Sequence, residues 1–212
     1  MFVKNFMTRE IITVYAEEKA GQALQLMREQ GLRRMPVVNA GGEIVGMITD
    51  RRLLQALAVP VRRGEFRRSV ETPPSLTVGA LMALEVFTTA PDTLIEEAAA
   101  LMAFQRVGSL VVMEDGKPIG IITETDMFRV FLRLLGGSEH GLRVTLRAPS
   151  FRGIQADIIT DIARAGGNLI NLANLTDDQG ILMAFKVVDM TKEDLEAVLE
   201  ELPVEDLDIR EI

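Results

Sequence analysis

A Thr-x-x-Asp segment, which begins at Thr123 and ends at Asp126, is the sequence feature best suited to binding chemistry. It follows an apolar stretch and opens a helical pattern, so the first backbone N–H groups of the helix have no intrahelical partners. Those N–H groups and the helix dipole favour a phosphate at this place. A Thr hydroxyl can donate to a phosphate oxygen, and an Asp one turn later can accept two hydrogen bonds from a ribose diol. The same spacing is also that of a capping box, in which the two side chains only terminate the helix.

The composition argues against several classes of enzyme. The chain of 212 residues has no Cys, which excludes disulfides, thiolate zinc sites and cysteine nucleophiles. His140 is the one histidine and lies among glycines in an expected linker, so a two-His metal site is excluded as well. The segment GGEIVG at 41–46 is interpreted as a hairpin turn rather than a dinucleotide fingerprint. We expect no catalytic residues, no metal and no catalytic cofactor.

Charge and hydropathy bear on partners and location. No apolar run reaches the ~18 residues of a membrane helix, and the start of the chain, MFVKNFMTRE, lacks the features of a secretory signal. We therefore expect a cytoplasmic protein without a membrane partner. The net charge of −8 argues against broad nucleic-acid binding.

A short arginine cluster stands apart from this acidic balance. It comprises Arg62, Arg63, Arg67 and Arg68. The cluster is either a solvated connecting segment or a contact for an anion or partner. It is the only support for DNA contact, and no helix-turn-helix pattern surrounds it.

An internal repeat organises the first two thirds of the chain. With an offset of 75 residues, VKNFM at 3–7 aligns with VGALM at 78–82, and Leu26-Met27 aligns with Leu101-Met102. After a one-residue deletion, Gly46 aligns with Gly120 and Thr49 with Thr123. Two copies are too few for a solenoid, so the repeat predicts a tandem pair packed on each other.

Each copy is predicted to have the order β-α-β-β-α. The predicted strands are residues 11–14, 35–38 and 43–48 in the first copy and 86–88, 109–113 and 117–122 in the second. A helix with apolar spacing follows each first strand, and a second helix begins at Thr49 and at Thr123. The last helix is expected to bury Met127, Val130, Phe131 and Leu134. Residues 60–76 contain Pro60, Gly64, Pro73 and Pro74 and are typical of a connector.

The segments GMITDRRLL and GIITETDMF, each at the end of a β-β hairpin, resemble the signature of CBS domains. Two copies in tandem resemble a Bateman module over about residues 1–136. The resemblance implies clefts between the copies that hold adenosine nucleotides, with Thr123 on the phosphate and Asp126 on the ribose. In the first copy the matching residues are Thr49 and Arg52, and an Arg cannot accept hydrogen bonds from a ribose. We expect unequal sites, with the first-copy site either empty or lending its Arg residues to phosphates.

By analogy with the family, the adenine slot comes from the first strand and the start of the second. Its residues in the second copy are Val86, Thr88, Val107, Gly108, Ser109 and Leu110. Gly108 either lets a ligand approach the backbone closely or is an ordinary turn glycine. Arg34 and Arg106 precede the second strand of their copies, and each is either a phosphate contact or a solvated surface residue.

The repeat stops near Gly141, and the last third is predicted to have the order β-α-β-β-α-β of a ferredoxin-like split βαβ. Residues 142–147 alternate as a half-buried strand, and isoleucines spaced by four predict a helix that ends at Gly166-Gly167. Residues 169–175 and 181–188 predict two strands joined by a turn at 177–180, and 204–212 a final strand. Thr191 is expected to cap the second helix, with Asp194 completing a capping box.

The stretches APSFRGI at 148–154 and GGNLI at 166–170 resemble an ACT domain. The resemblance implies an amino-acid site near the loop at 149–153, at a subunit interface, but Ala148 replaces the family's usual acidic residue. The alternative is an ACT-like domain used only for dimerisation. Two CBS copies followed by an ACT-like domain resemble the acetoin-utilisation CBS–ACT proteins of bacteria, a name that supplies no reaction.

The sequence thus predicts a mixed α+β and α/β chain with two CBS domains packed as a pair and a ferredoxin-like ACT-like domain. The expected boundaries are 1–60 for the first CBS domain, 61–76 for the connector, 77–136 for the second CBS domain and 141–212 for the ACT-like domain. The expected function is non-catalytic: the pair senses AMP, ADP or ATP and relays it through a homodimer to an unknown regulated protein. The alternatives are a ligand-independent dimerisation scaffold and a transcription-linked regulator.

Overall fold

The structure is a computed structural model that describes residues 1–57, 76–137 and 139–212. The chain divides into two compact units, Met1–Met127 and Phe128–Ile212. The arginine cluster at 62–68 lies outside the described residues, as does the expected connector at 61–76 except for its last residue. No helix among the described residues is both long enough and apolar enough to cross a membrane.

Both copies of the repeat have the predicted order β-α-β-β-α. The first copy consists of β1 (Val14–Tyr15), α1 (Ala20–Glu29), β2 (Arg34–Val38), β3 (Ile44–Thr49) and α2 (Asp50–Leu57). The second consists of β4 (Thr88–Thr89), α3 (Ile95–Gln105), β5 (Ser109–Glu114), β6 (Lys117–Thr123) and α4 (Glu124–Leu134). Each copy forms a three-stranded sheet, β1-β2-β3 or β4-β5-β6, in which the first pair is parallel and the second antiparallel.

The first strand of each copy begins later than the sequence predicts. Of residues 11–14 only Val14 lies in β1, and of residues 86–88 only Thr88 lies in β4, so Val86 precedes its strand. The parallel pairing of the first two strands starts with Val14 opposite Val37 in one copy and with Thr88 opposite Val111 in the other. The preceding apolar residues Ile11, Ile12 and Val86 are half-buried but lie outside the strands, and apolar periodicity alone does not distinguish a strand residue from a half-buried residue beside it.

The buried face of α4 also differs from the prediction. Val130 is buried, but Met127 is only half-buried, and Phe131 and Leu134 are 56% and 47% exposed. The buried face runs instead through Asp126 and Val130, one position away from the predicted stripe. The stripe was placed by counting apolar residues, whereas a polar residue, Asp126, occupies a buried position on this helix.

The segments that precede the two copies are exchanged between them. Val3 is fully buried, and its N–H donates to the carbonyl oxygen of Thr93 in the second copy at 2.9 Å. Val78, also fully buried, belongs to the core of the first copy, and its N–H donates to the carbonyl oxygen of Glu18 at 2.9 Å. The repeat alignment pairs these two valines, so the exchange is reciprocal. Each copy therefore completes its packing with residues that precede the other copy in the chain.

The C-terminal unit has the predicted order β-α-β-β-α-β after the end of α4. Its elements are β7 (Leu142–Ala148), α5 (Ile154–Arg164), β8 (Asn168–Asp177), β9 (Gly180–Val188), α6 (Lys192–Glu200) and β10 (Glu205–Glu211). The strands form one antiparallel sheet in the order β10-β7-β9-β8, and the core beneath it includes Phe185 and Ile154, Ile158 and Ile162 of α5. The predicted cap of α6 is confirmed: the Asp194 N–H donates to Thr191 Oγ1 at 3.2 Å, and the Thr191 hydroxyl donates to Asp194 Oδ2 at 2.7 Å.

A buried lysine fixes the segment that leads into this sheet. Lys186 lies on β9 between Arg143 and Asn171 on the neighbouring strands and is only 1% exposed. Its ammonium group donates to the carbonyl oxygen of Gly136 at 2.7 Å and to that of Glu139. A buried charge needs such partners, so the sheet and the segment before β7 depend on each other.

Candidate functional site

The junction between β6 and α4 contains the Thr-x-x-Asp segment. β6 ends at Thr123 and α4 begins at Glu124. The carboxylate of Asp126, 6% exposed, accepts hydrogen bonds from the Thr123 hydroxyl at 2.7 Å and the Thr123 N–H at 2.9 Å. The Asp126 N–H lies 3.4 Å from Thr123 Oγ1. The capping box is thus present, and it fixes both side chains at the start of the helix.

The corresponding junction of the first copy is built differently. Thr49 ends β3, and its Oγ1 accepts the N–H of Arg52 at 3.3 Å. The Arg52 side chain is exposed. An Arg has no acceptor for the N–H of Thr49, whereas the Asp126 carboxylate accepts the N–H of Thr123 in the second copy. The two junctions therefore differ in charge and in hydrogen-bonding capacity.

Residues of both copies converge at Gly108. This glycine precedes β5, and its carbonyl oxygen accepts the N–H of Glu124 at 3.1 Å. A Cβ atom at Gly108 would lie 2.5 Å from Nη2 of Arg34 and 2.7 Å from Oε2 of Glu124. Arg34 therefore reaches from the first copy to the junction of the second. It is the first residue of β2 and does not precede that strand as predicted, which places it opposite Thr49 in the β2–β3 register.

The equivalent place in the first copy has other residues. The Asp50 N–H donates to the carbonyl oxygen of Arg33 at 3.0 Å, which repeats the contact between Glu124 and Gly108. Arg33 thus occupies the position of Gly108, and the repeat alignment puts Ser109 at the position of Arg34. Gly108 and Arg34 meet at the second-copy junction, whereas the corresponding residues for the first-copy junction are Arg33 and Ser109. This asymmetry adds to the one that Arg52 indicated.

The other predicted residues lie along one end of the second sheet. β4 runs parallel to β5, with Thr88 opposite Val111, and Ser109 at the start of β5 is opposite Thr123 at the end of β6. Ser109 is 6% exposed. β5 starts where β6 ends, so Ser109 and Thr123 lie at the end of the sheet at which α4 begins, whereas Thr88 is level with Ile121, earlier on β6.

Three further predicted residues flank these strands. Val86 and Val107 are half-buried in the segments that lead into β4 and β5. Arg106 ends α3 in the left-handed conformation, with φ of 55°, and is exposed. Leu110, next along β5, is fully buried in the core.

Metal-binding side chains do not cluster in the described part of the chain: no group of three or more His, Asp or Glu residues there is placed to hold an ion. His140 is exposed.

The C-terminal unit has a cavity of about 240 Å³ beside the predicted loop at 149–153. Its lining includes Arg147, Pro149 and Gln179. Nη1 of Arg147 lies 2.7 Å from Oδ1 of Asp177, and the Gln179 N–H donates to the same oxygen at 2.9 Å. The hydrogen bond from Arg147, followed by that from Gln179, holds the pKa of Asp177 below its usual value. Arg147 is thus already paired at the cavity wall.

The lowered pKa predicts how the Arg147–Asp177 pair responds to pH. A carboxyl whose pKa is lower in the folded state contributes stability that is present above its unfolded pKa, about 4, and is lost as the pH falls through the folded pKa. We expect Asp177→Asn to be less stable than the wild-type protein from pH 7 to about pH 5 and the difference to close at lower pH. Urea unfolding across this range measures it. Asp178→Asn removes the same charge one residue along; a difference that it reproduces would contradict a specific pair.

Comparisons with known proteins locate the first unit among families. The sequence profile of the CBS domain matches residues 3–59 and 78–133, ahead of β7. The chain is 32% identical over 126 residues to the inosine-5'-monophosphate dehydrogenase of Korarchaeum cryptofilum, which covers 59% of this chain but 23% of that enzyme. It is 28% identical over 136 residues to a CBS domain-containing protein of Dictyostelium discoideum, which covers 64% of this chain and 94% of that protein.

Solved structures agree with this placement. AcuB of Vibrio cholerae, a candidate acetoin utilization protein, has a TM-score of 0.53 and 25% identity and covers 65% of this chain and 95% of its own. The CBS domain pair of protein MJ0100, in complex with 5'-methylthioadenosine and S-adenosyl-L-methionine, has a TM-score of 0.52 and covers 66% and 98%. Its identity of 22% establishes likeness of fold alone.

Proposed function

Because the chain belongs to the CBS domain family and carries two copies in tandem, we propose that it is a non-catalytic regulatory protein whose CBS pair binds an adenine nucleotide. The ligand is AMP, ADP or ATP, held at the junction of β6 and α4. The proposal includes the boundaries 1–60, 61–76, 77–136 and 141–212, the last of them an ACT-like domain. The likeness to the dehydrogenase concerns 23% of that enzyme and extends to none of its chemistry here.

The observation that carries this proposal is the convergence of complementary groups on one junction. Asp126 accepts hydrogen bonds from the ribose hydroxyls. The phosphate accepts hydrogen bonds from the Thr123 hydroxyl, which exchanges its bond to Asp126 for the ligand, and from N–H groups of the first turn of α4 other than that of Glu124, assisted by the helix dipole. The adenine lies against Val86 and Val107 near Thr88 and Ser109. The adenosine ligands of the MJ0100 pair support the same ligand class.

The first-copy junction plays a lesser part in the proposal. Thr49 is present there, but Arg52 replaces the ribose acceptor. This site stays empty or uses Arg52 on a phosphate, and one strong site per chain is expected. Measured stoichiometry tests this point in the same titration as affinity.

Relay through a homodimer is the second part of the proposal. Large apolar side chains are exposed on the helices, among them Phe104, 84% exposed on α3, and Phe128, 69% exposed on α4. A two-fold dimer, the commonest closed assembly, would cover such side chains. Sedimentation with and without nucleotide measures the assembly, and the regulated partner protein would recognise the state that the nucleotide favours.

One observation favours the ligand-independent scaffold as a second candidate. Asp126 and Thr123 satisfy each other in a complete capping box, so both have a structural role without any ligand. A transcription-linked regulator has weaker support, because the arginine cluster at 62–68 lies outside the described residues.

Titration calorimetry with AMP, ADP, ATP and S-adenosylmethionine tests the proposal, with Asp126→Ala as the informative variant. Loss of the ribose hydrogen bonds is expected to cost about 1–3 kcal/mol of binding free energy, or about 5- to 150-fold in Kd. Asp194→Ala is the control, because the Asp194 carboxylate likewise accepts the hydroxyl of the threonine that caps its helix, Thr191 on α6.

The two variants separate capping from binding. Both are expected to lose about 1 kcal/mol of stability through the missing cap, but only Asp126→Ala is expected to lose affinity. Equal affinity in the wild type and Asp126→Ala would remove Asp126 from the site. No heat with any of the four ligands would favour the scaffold.

A further inference from the structure

Two opposite charges share the space above Gly108. Nη2 of Arg34 and Oε2 of Glu124 both lie within 2.7 Å of the point that a Cβ of residue 108 would occupy. They come from different copies, Arg34 from the start of β2 and Glu124 from the first turn of α4. Only a glycine leaves room for both side chains, so Gly108 does more than form a turn: the absence of a Cβ lets the guanidinium and the carboxylate approach its backbone.

The two charges differ in their freedom. Arg34 is half-buried and its backbone pairs with Thr49 in the sheet, whereas the side chain of Glu124 is exposed. The backbone of Glu124 is held by Gly108, so its carboxylate can leave the space above the glycine by side-chain rotation alone. Arg34 is thus the fixed partner and Glu124 the replaceable one.

We propose that the Glu124 carboxylate occupies, beside Arg34, the place that the ligand's phosphate takes, so that nucleotide binding exchanges one anion for the other. The inference rests on the proposed function and names its chemical selectivity. A phosphate offers a guanidinium the same paired acceptors as a carboxylate, with more charge. Glu124 competes with phosphorylated ligands, whereas a neutral adenosine ligand leaves the Glu124 carboxylate above Gly108.

The first copy lacks this arrangement. Asp50 corresponds to Glu124, but its Oδ1 accepts the N–H of Arg51 at 2.6 Å, and Arg33 stands where Gly108 would leave room. Ser109, which replaces Arg34, carries no positive charge. The exchange therefore belongs to the second-copy junction and gives a reason for one strong site.

The test compares AMP with 5'-methylthioadenosine, which has no phosphate, in wild type, Glu124→Gln, Arg34→Gln and the double variant. Glu124→Gln is expected to raise AMP affinity about threefold or more, and Arg34→Gln to lower it about tenfold. Neither should change 5'-methylthioadenosine affinity. In the Arg34→Gln background the gain from Glu124→Gln should vanish, because the carboxylate then has no arginine to compete for. Glu96→Gln, an exposed first-turn acid of α3, controls for general charge.

The outcomes separate the two proposals. Binding of both ligands with an AMP preference that Glu124→Gln leaves unchanged, or that Glu96→Gln raises equally, would overturn the exchange and leave the nucleotide site standing. Additive effects in the double variant would also overturn the exchange. Failure of the wild-type protein to bind either ligand would overturn the proposed function and the exchange together.

Discussion

Replacement of Gly120 or of Gly46 by alanine is expected to lower the free energy of unfolding of the Met1–Met127 unit by about 3 kcal/mol. Both glycines are buried and occupy the same repeat position. A Cβ at Gly120 would lie 2.7 Å from the carbonyl oxygen of Thr8, and one at Gly46 would lie 2.8 Å from that of Ala83. These distances are shorter than a carbon and an oxygen in van der Waals contact allow.

Neither carbonyl group can move aside freely. The Thr8 oxygen accepts the N–H of Ile121 at 2.9 Å, and the Ala83 oxygen accepts the N–H of Met47 at 2.8 Å. Each acceptor is thus hydrogen-bonded to the residue after the glycine that faces it. An added methyl group would break this backbone hydrogen bond or displace the segment that carries the carbonyl group, which is why the expected loss exceeds that of an ordinary Gly→Ala change.

Urea unfolding measures the loss, and hydrogen exchange at the exchanged segments locates it. Gly41→Ala is the control, because a Cβ there meets only the end of a side chain, Asn39 Oδ1, at 3.3 Å. We expect Gly41→Ala to cost less than 1 kcal/mol or so. Variants of Gly46 and Gly120 that match this control would mean that the exchanged segments do not pack as described.

Lys186→Glu is expected to destabilise the C-terminal unit by about 3–5 kcal/mol, because a buried carboxylate would then face two carbonyl oxygens. Lys186→Met keeps the length of the side chain and removes the charge. It leaves the carbonyl groups of Gly136 and Glu139 without their donor, partly offset by the relief of ammonium burial, so a loss of about 2 kcal/mol is expected.

Chemical unfolding followed by hydrogen exchange on β7 and β9 measures both variants. Lys192→Glu is a suitable control, since Lys192 is at the exposed start of α6. A Lys186→Met protein as stable as the wild type would show that the hydrogen bonds from Lys186 only compensate its burial. A Lys186→Glu protein of unchanged stability would contradict its burial altogether.

The sequence predicts those features, such as helix caps and hairpin turns, that depend on residues a few positions apart in the chain. The cap of α6 by Thr191, which accepts the Asp194 N–H, is confirmed because both residues lie within one helical turn. The β-β hairpins of the two copies are placed to within one residue at each strand end, since turn residues mark their centres. The buried face of α4 was wrong because the apolar pattern gives no weight to Asp126, which is buried through hydrogen bonds.

Contacts between the two copies could not be predicted from the sequence. Arg34 and Gly108 were both predicted as site residues, one for charge and the other for close approach, but the sequence does not say that they meet. Their meeting depends on how the two sheets pack. The repeat alignment contains a signal of the asymmetry: it pairs Arg33-Arg34 with Gly108-Ser109 and so indicates that the two junctions differ.

The exchange of the segments around Val3 and Val78 also constrains how the protein is made. During synthesis a domain usually folds as soon as it emerges from the ribosome. Here the first copy stays incomplete until Val78 has been added, and the residues around Val3 must wait for the second copy to be translated. The first copy can therefore be completed once the chain has been translated past Val78, whereas the residues around Val3, among the first to be made, stay unpaired until the second copy has been translated.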